Sequence, residues 1–381
     1  MSDSATPPVR LRPEVLAVPA YRQGAAPTKP GFKLSSNENP FDPLPSVLAA
    51  LQGRGDVNRY AGAAMPELRE LIARRFEVRP DRVHLGAGSV AILYQLVHAA
   101  AGHGDAYLHA WPSFEAYPAL GLASGAEAIR VPLNARAEHD LDAMAEAITP
   151  STRVILLCTP NNPTGPAIRR DAFDRFMARV PSDTLVVLDE AYREFVTDPE
   201  AVRGEDVLAL HENLVVLRTF SKAYGLAGLR IGYGIGHPAI LSAAATAAIP
   251  LSVTGLAETA ALASLSPDAQ AESATRIAEI AERRDELVRG LRGLGLDVPD
   301  AQGNFVWIPE VAGAAGDSGA AGAATAGSAR RIDTLALAAA FAEAGTLVRP
   351  FPGEGVRISV GETESLAEVL RIVRGFLSAA G

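Results

Sequence analysis

The stretch VVLRTFSKAYGLAGLRIGY (215–233) decides the fold and the chemistry predicted for this chain. An apolar segment typical of a strand leads into hydroxyls at Thr219 and Ser221, then Lys222, a glycine-rich turn and Arg230. An amine at a strand end, with hydroxyls and a cation nearby, can form a Schiff base next to a phosphate group. Lys222 alone is weak evidence, because most lysines are solvated surface charges.

Two earlier segments, PNNPTG (160–165) and DEAYREF (189–195), strengthen this interpretation. Together the three segments predict a site for pyridoxal phosphate, whose aldehyde would join Lys222. Asp189 ends the apolar strand TLVVLD (184–189), and a carboxylate there can keep the ring nitrogen of the cofactor protonated. The remaining predicted contacts are Asn162 and Tyr192 to the phenolic oxygen, and Thr219, Ser221 and Arg230 to the phosphate.

Each segment also has a simpler interpretation. PNNPTG is rich in turn-forming residues, Asp189 is a possible helix N-cap with Tyr192 packed behind it, and Ser221 is a possible cap as well. Taken singly, these interpretations are favoured. Their occurrence together, in this order and after three apolar strands, makes coincidence a poor explanation.

The chain resembles the fold-type I aminotransferases of the histidinol-phosphate aminotransferase family, and most of all their aromatic amino-acid aminotransferase branch. The resemblance extends from RLRPEVLAVPAY (10–21) to VRISVG (356–361), and SKAYGLAGLRIGY (221–233) is its most specific motif. It implies transfer of the amino group of an aromatic L-amino acid to 2-oxoglutarate, with Lys222, Asp189 and Tyr192 as catalytic residues. It also implies a homodimer with active sites at the subunit interface.

The segment LGAGSVAILYQLV (85–97) imitates a dinucleotide-binding fingerprint, with Asp105 following at about the expected distance. Asp105 precedes the next strand, however, and would not reach a ribose. We therefore expect the backbone N–H groups of Gly88, Ser89 and Val90 to hold the phosphate of pyridoxal phosphate at a helix start. Val90 and Ala91 stand where the commoner histidinol-phosphate pattern has acidic residues, which favours the aromatic branch.

The resemblance assigns further site residues, each with an alternative. In WPSFEAY (111–117), Phe114 would stack on the cofactor ring, although an isolated Phe is more often a core residue. In SSNENP (35–40), Asn37 would help to hold the substrate carboxylate, or is part of a turn. In NRYAG (58–62), Tyr60 would reach the cofactor phosphate of the other subunit, or is a surface tyrosine.

The C-terminal segment GVRISVG (355–361) supplies the predicted carboxylate clamp. Strand alternation puts Arg357 and Ser359 on one face, and an arginine suits two-point recognition of the substrate α-carboxylate. Asn304 would assist Arg357. Arg349 would bind a distal phosphate or carboxylate, or is a solvated charge at a strand end.

Composition excludes several classes of function. The chain has 381 residues, 48% of them hydrophobic, and a formal charge of −9, which argues against general nucleic-acid binding. Cys158 is the single cysteine, so no intrachain disulfide is possible. No signal peptide or membrane span is evident, and we expect a soluble, cytoplasmic protein. His98, His103 and His109 have poor ligand geometry and predict no metal site.

Short apolar segments alternate with helical patterns from 31 to about 250, which predicts an α/β fold with a mainly parallel seven-stranded sheet. The predicted organisation is an N-terminal arm (1–30) that packs with the small domain, a large cofactor-binding domain (31–255) and a small α+β domain (256–381). In the last of these, strands are predicted at 304–309, 346–349 and 355–360. Residues 311–329 are low in complexity and predict a mobile loop.

Four alternatives remain. Histidinol-phosphate aminotransferase shares the chemistry, with a substrate that carries phosphate in place of carboxylate. A cobalamin-pathway decarboxylase shares the fold but holds the substrate carboxylate differently. A nicotinamide-dependent dehydrogenase rests on residues 86–91 alone, and a non-catalytic binding protein is disfavoured because every expected catalytic position is filled.

Overall fold

The structure is a computed structural model that describes residues 9–18, 29–62, 65–310 and 332–379. The predicted mobile loop at 311–329 and most of the predicted N-terminal arm lie outside the described residues.

A seven-stranded sheet forms the centre of the described chain, with strands in the order β1-β7-β6-β5-β4-β2-β3. Strands β3, β2, β4, β5 and β6 are parallel, whereas β7 is antiparallel to both β6 and β1. The strands are β1 Val83–Gly86, β2 Ala106–Trp111, β3 Glu127–Pro132, β4 Thr152–Cys158, β5 Leu185–Asp189, β6 Leu214–Thr219 and β7 Gly232–Ile235. The predicted fold class, a mainly parallel seven-stranded sheet in an α/β protein, is confirmed.

The sheet is covered on both faces, which explains its nearly continuous apolar strands: every residue of β5 and β6 is buried.

The helices within the described residues are α1 Pro13–Leu16, α2 Pro45–Gln52, α3 Pro66–Arg75, α4 Ser89–Ala100, α5 Leu141–Glu146, α6 Arg170–Met177, α7 Gly204–Val207, α8 Pro238–Thr246, α9 Gly255–Ser264, α10 Pro267–Gly293, α11 Thr334–Glu343 and α12 Thr363–Ala379. Short 3₁₀ turns lie at Pro80–Arg82, Tyr117–Leu122, Arg193–Phe195, Leu208–Leu210 and Ala227–Leu229.

Amphipathic patterns explain how these helices pack. In α6, Phe173, Phe176 and Met177 recur at helical spacing and are buried, while arginines and aspartates occupy the other face. None of the helices in the described part of the chain is long and apolar enough to cross a membrane.

A second, three-stranded antiparallel sheet lies in the C-terminal part of the chain, in the order β8-β10-β9. Its strands are β8 Phe305–Pro309, β9 Arg349–Phe351 and β10 Gly355–Ser359. Helices α10 and α11 pack against it, and α12 packs against both of these helices. The division into large and small domains near residue 255 stays a prediction, although the two sheets agree with it.

The strand predicted at 346–349 is wrong in its position, because β9 begins at Arg349. Leu347 instead exchanges hydrogen bonds with the segment before the first sheet, through Leu34 N to Leu347 O (2.8 Å) and Leu347 N to Phe32 O (2.8 Å). Leu34 O also accepts from Ser359 N at 2.9 Å. Residues 32–34 therefore pass along the second sheet, a long-range pairing that local sequence pattern does not report.

Candidate active site

The predicted cofactor-site residues gather at the carboxyl edge of the large sheet. Asp189 is the last residue of β5, Thr219 the last of β6, and Lys222 lies three residues further on. The segments with Phe114 and Asn162 follow β2 and β4, which run parallel to β5. Because parallel strands end at one edge, residues scattered over the chain meet there, as ligand sites in open α/β sheets do.

The backbone at Lys222 is held from a distant segment. The Asn39 amide donates to the carbonyls of Lys222 (3.2 Å) and Ala223 (3.0 Å). The Lys222 amine in turn donates to Ser36 O at 3.1 Å and lies 5.7 Å from the centre of the Tyr192 ring. These contacts fix both ends of the lysine side chain.

The surroundings of Lys222 favour a neutral amine. Burial, followed by the positive charge of Arg357, lowers the pKa of Lys222 to about 7; Glu38 opposes this shift, and Arg230 adds a smaller contribution to it. A neutral amine is the form that attacks a carbonyl carbon or accepts a proton. Lys222 is therefore suited to both steps near neutral pH.

Asp189 lies in a buried environment and is 4% exposed. Its Oδ2 accepts a hydrogen bond from the Tyr117 hydroxyl at 2.9 Å, while its Oδ1 has no hydrogen-bond partner among the described residues. Burial raises the pKa of Asp189 to about 6, and the hydrogen bond from Tyr117 opposes that rise. A buried carboxylate oxygen without a partner suits a cationic N–H donor such as a protonated ring nitrogen.

The residues predicted to bind phosphate form a cradle at the start of α4. The Arg230 guanidinium donates to Ser221 Oγ at 3.4 Å and to Ala227 O at 2.9 Å. Thr219 Oγ1 donates to Ser221 Oγ at 2.9 Å. Helix N-termini with free N–H groups bind anions, and here two hydroxyls and one guanidinium surround such an end.

Gly88 explains why this cradle can form. It has φ +80°, and a Cβ atom there would lie 2.5 Å from an Arg230 nitrogen. Any larger residue would clash with the guanidinium and strain the backbone. Ser89 begins α4, and Val90 follows it in the first turn.

Arg357, Asn162 and Ser35 form a second buried group. Arg357 donates to Asn162 Oδ1 and, at 2.7 Å, to Ser35 O. The contact fixes the Asn162 amide with its oxygen toward Arg357, which leaves its NH₂ group as the donor for a phenolic oxygen. Arg357 is only 5% exposed, and its fork lies next to Asn162, as a carboxylate clamp beside the cofactor requires.

Asn37 connects the two sheets. Its side chain donates to the Tyr192 hydroxyl at 3.0 Å and accepts from Ser359 Oγ at 2.9 Å. Asn304 donates to Asn37 O at 3.1 Å. Burial raises the pKa of Tyr192 above its ordinary range, so its hydroxyl stays protonated and available as a donor.

Three predicted residues need separate description. Phe114 is half-buried, with its ring in edge contact with Tyr117 at 5.6 Å between centroids. Tyr60 lies outside the network of contacts and is 84% exposed in this single chain. Arg349 is paired with Glu115, through Nε to Oε2 at 3.1 Å and Nη2 to Oε1 at 2.6 Å.

A buried ion cluster supports the strand ends below the site. Arg218 on β6 contacts Glu190 at 2.7 Å and Glu205 at 2.6 Å. Glu190 directly follows Asp189 and also accepts from Gly204 N at 2.9 Å. These bonds fix the end of β5 against β6, and removal of one partner would leave a costly buried charge.

Three contributors were missed by sequence reasoning: Asn39, Tyr117 and Glu115. All three lie inside motifs that were recognised, SSNENP and WPSFEAY, but their partners are distant in sequence. Asp105 has a structural role, since its carboxylate accepts from Gly102 N at 3.0 Å and from Arg153 at 3.3 Å. Within the described ranges, no group of three or more His, Cys, Asp or Glu residues could hold a metal ion.

Fold and site together define a class of protein. The sequence profile described as Aminotransferase class I and II matches residues 29–373, and the chain belongs to this family. Its fold is that of the fold-type I, pyridoxal-phosphate-dependent aminotransferases.

Two curated relatives are similar to this chain over nearly their whole length. A Streptomyces avermitilis protein named aromatic amino acid aminotransferase is 45% identical over 371 residues, covering 96% of this chain and 97% of that protein. A Thermobifida fusca protein of the same name is 43% identical, covering 97% of this chain and 98% of that protein.

Solved structures agree with the fold. Histidinol-phosphate aminotransferase from Sinorhizobium meliloti, in complex with pyridoxal-5'-phosphate, has a TM-score of 0.81 at 24% identity, covering 99% of this chain and 100% of that chain. A mutant aspartate aminotransferase from Thermus thermophilus has a TM-score of 0.77 at 26% identity, covering 96% of this chain and 99% of that chain.

Proposed function

We propose that this protein is an aromatic amino-acid aminotransferase that transfers the amino group of an aromatic L-amino acid to 2-oxoglutarate. The observation that carries the chemistry is the position of Lys222, with its lowered pKa, at the sheet edge that also holds Asp189 and the phosphate cradle. The substrate class is supported by curated relatives at 41–45% identity that are named aromatic amino acid aminotransferase.

The residues present fit pyridoxal phosphate. Asp189 Oδ1 would be the buried acceptor for the ring nitrogen, and Phe114 would support one face of the ring. The phenolic oxygen would be bound by Asn162 and Tyr192. The phosphate would be held by Gly88, Ser89, Val90, Thr219, Ser221 and Arg230, with Tyr60 of a second subunit as a further donor.

The protein's own groups perform three tasks. Arg357, assisted by Asn37 and Asn304, holds the α-carboxylate and so fixes the Cα–H bond relative to Lys222. Lys222 Nζ, which has a substantial unprotonated fraction near pH 7, removes the proton from the substrate Cα and later returns one. When bound, pyridoxal phosphate withdraws the electron pair that remains at Cα.

Asp189 and Tyr192 assist without moving the substrate proton. The Asp189 carboxylate would keep the ring nitrogen of the cofactor charged, and the Tyr117 hydroxyl holds that carboxylate in place. Tyr192 presents a protonated hydroxyl beside Lys222, where its position is set by Asn37. The Lys222 amine is therefore the one group that moves the substrate proton.

We also infer that the protein is a cytoplasmic homodimer that does not bind nucleic acid. The exposed Tyr60 has a use only if a second copy places it near a site, and the formal charge of −9 disfavours nucleic acid.

The visible absorbance of the purified, cofactor-loaded protein tests the proposal. Addition of L-phenylalanine is expected to remove the cofactor absorbance band, while L-histidinol phosphate in a parallel cuvette changes it little. The reverse result would make the protein a histidinol-phosphate aminotransferase. Absence of a band after incubation with pyridoxal phosphate contradicts the whole assignment.

A further inference from the structure

A second arginine stands beside the proposed carboxylate clamp. Arg349 on β9 and Arg357 on β10 are direct register partners in the antiparallel pair. Residues paired in this way share a face of the sheet, with Cβ atoms about 5 Å apart. The clamp region therefore contains two guanidinium groups, although a carboxylate with one negative charge needs only one.

Glu115 neutralises the second guanidinium. It comes from the opposite side, from the segment after β2, and directly follows Phe114, the proposed support of the cofactor ring. The pair is held at two points, and its side chains are only 20% and 24% exposed. A two-point pair in partial burial is firmer than an ordinary surface ion pair.

Two kinds of substrate differ in the negative charge that the arginines must balance. The α-carboxylate of an amino acid carries one charge, which Arg357 matches. A phosphate monoester carries about 1.5 to 2 negative charges, and needs a second cation. Here that cation is occupied, and Glu115 adds a negative charge close to where the phosphate would lie.

We propose that Glu115 is a specificity-determining residue, which excludes substrates that carry a phosphate ester in place of the α-carboxylate by holding Arg349 in a neutral pair. The proposal deepens the proposed function and rests on it. It supplies the repulsive element that a selective site needs in addition to its attractive contacts.

The test compares wild type with Glu115→Gln, which keeps the size of the side chain and removes its charge. The measured quantity is the ratio of kcat/KM for L-histidinol phosphate to kcat/KM for L-phenylalanine. We expect this ratio to rise about 10- to 100-fold, the effect of one additional hydrogen-bonded charge contact. Inhibition of phenylalanine turnover by inorganic phosphate is expected to strengthen in parallel.

Glu368→Gln is the matched control, because Glu368 forms a two-point pair with Arg371 on the exposed face of α12. It removes the same charge far from the site and is expected to leave the ratio unchanged. If the glutamine variant folds poorly, Glu115→Ser is the second test variant. We expect the same rise in the ratio of the two kcat/KM values.

An unchanged ratio and unchanged phosphate inhibition in a folded Glu115 variant that still uses phenylalanine overturn the inference. This outcome leaves the proposed function intact. In contrast, wild type that fails to use phenylalanine overturns the proposed function, so the two failures are distinguishable.

Discussion

Replacement of Asp189 by asparagine should stabilise the cofactor-free protein while it impairs the enzyme. The carboxyl group is 4% exposed and has Tyr117 as its side-chain partner. Its charged form is poorly solvated, which raises its pKa from the ordinary 3.8 to about 6. Asparagine keeps the shape and an oxygen acceptor for Tyr117, but it carries no charge.

The size of the effect follows from this shift. A shift of this extent corresponds to about 3 kcal/mol, since each pKa unit is worth about 1.4 kcal/mol. The raised pKa means that the protonated carboxyl stabilises the folded state at low pH, and that this contribution is lost as the pH rises through about 6. Above that pH, the charged Asp189 costs the folded state most of the 3 kcal/mol.

Thermal unfolding of cofactor-free wild type and Asp189→Asn measures this cost. At about pH 8 the variant should unfold roughly 3 °C higher, given the unfolding entropy typical of a chain of this size. At about pH 5 the difference should fall to roughly half, and it should disappear only below pH 3.8, the ordinary pKa of the carboxyl in the unfolded chain. With pyridoxal phosphate added, wild type should gain more stability than the variant, and turnover of the variant should fall through a slower proton abstraction.

A variant that is less stable than wild type at the higher pH would refute the reasoning. It would mean that the asparagine amide costs more than the buried charge, or that Asp189 is better solvated than its burial indicates. A stability difference independent of pH would also refute it, since the Asp189 carboxyl is the titrating group that distinguishes the two proteins.

The remaining predictions concern Lys222, Arg357 and Tyr60. Lys222→Ala should abolish turnover while the cofactor-free protein still folds; turnover near that of wild type in a coupled assay contradicts its role. Arg357→Lys should raise KM for L-phenylalanine about 10- to 100-fold, because lysine keeps the charge but loses the fork that holds the carboxylate. A lowered kcat with an unchanged KM would instead assign Arg357 to the chemical step. Tyr60→Phe should weaken retention of pyridoxal phosphate about tenfold, measured by equilibrium dialysis, if its hydroxyl reaches the phosphate of the other subunit. Unchanged retention would return Tyr60 to an ordinary surface position.

Residues at strand ends could be assigned from sequence. Asp189 and Thr219 each end an apolar run, and parallel strands bring their ends to one edge of the sheet, so a one-dimensional pattern fixes their proximity. Lys222 must lie near the same edge, because it follows Thr219 by only three residues in the sequence. The turn into a helix at Gly88 could be read locally, although the close approach of Arg230 to Gly88 could not.

Contacts made at long sequence separation could not be assigned in this way. Tyr117 meets Asp189 across 72 positions, and Glu115 meets Arg349 across 234. Such contacts depend on how the loops and the second sheet pack against the large sheet. A local sequence pattern carries no information about that packing. The misplaced strand at 346–349 has the same origin, because Leu347 pairs with residues near the start of the chain.

The bonds from Asn37 to Ser359 join positions 322 residues apart, and Lys222 and Tyr192 contact the same early segment. During synthesis, the ribosome therefore releases Asp189 and Lys222 well before the residues that complete the clamp exist. A chain interrupted between Lys222 and Ser359 carries the amine but lacks Arg357 or the bond from Ser359 to Asn37. Productive catalysis thus begins only when both ends of the polypeptide have met, which prevents an unfinished chain from acting on amino acids.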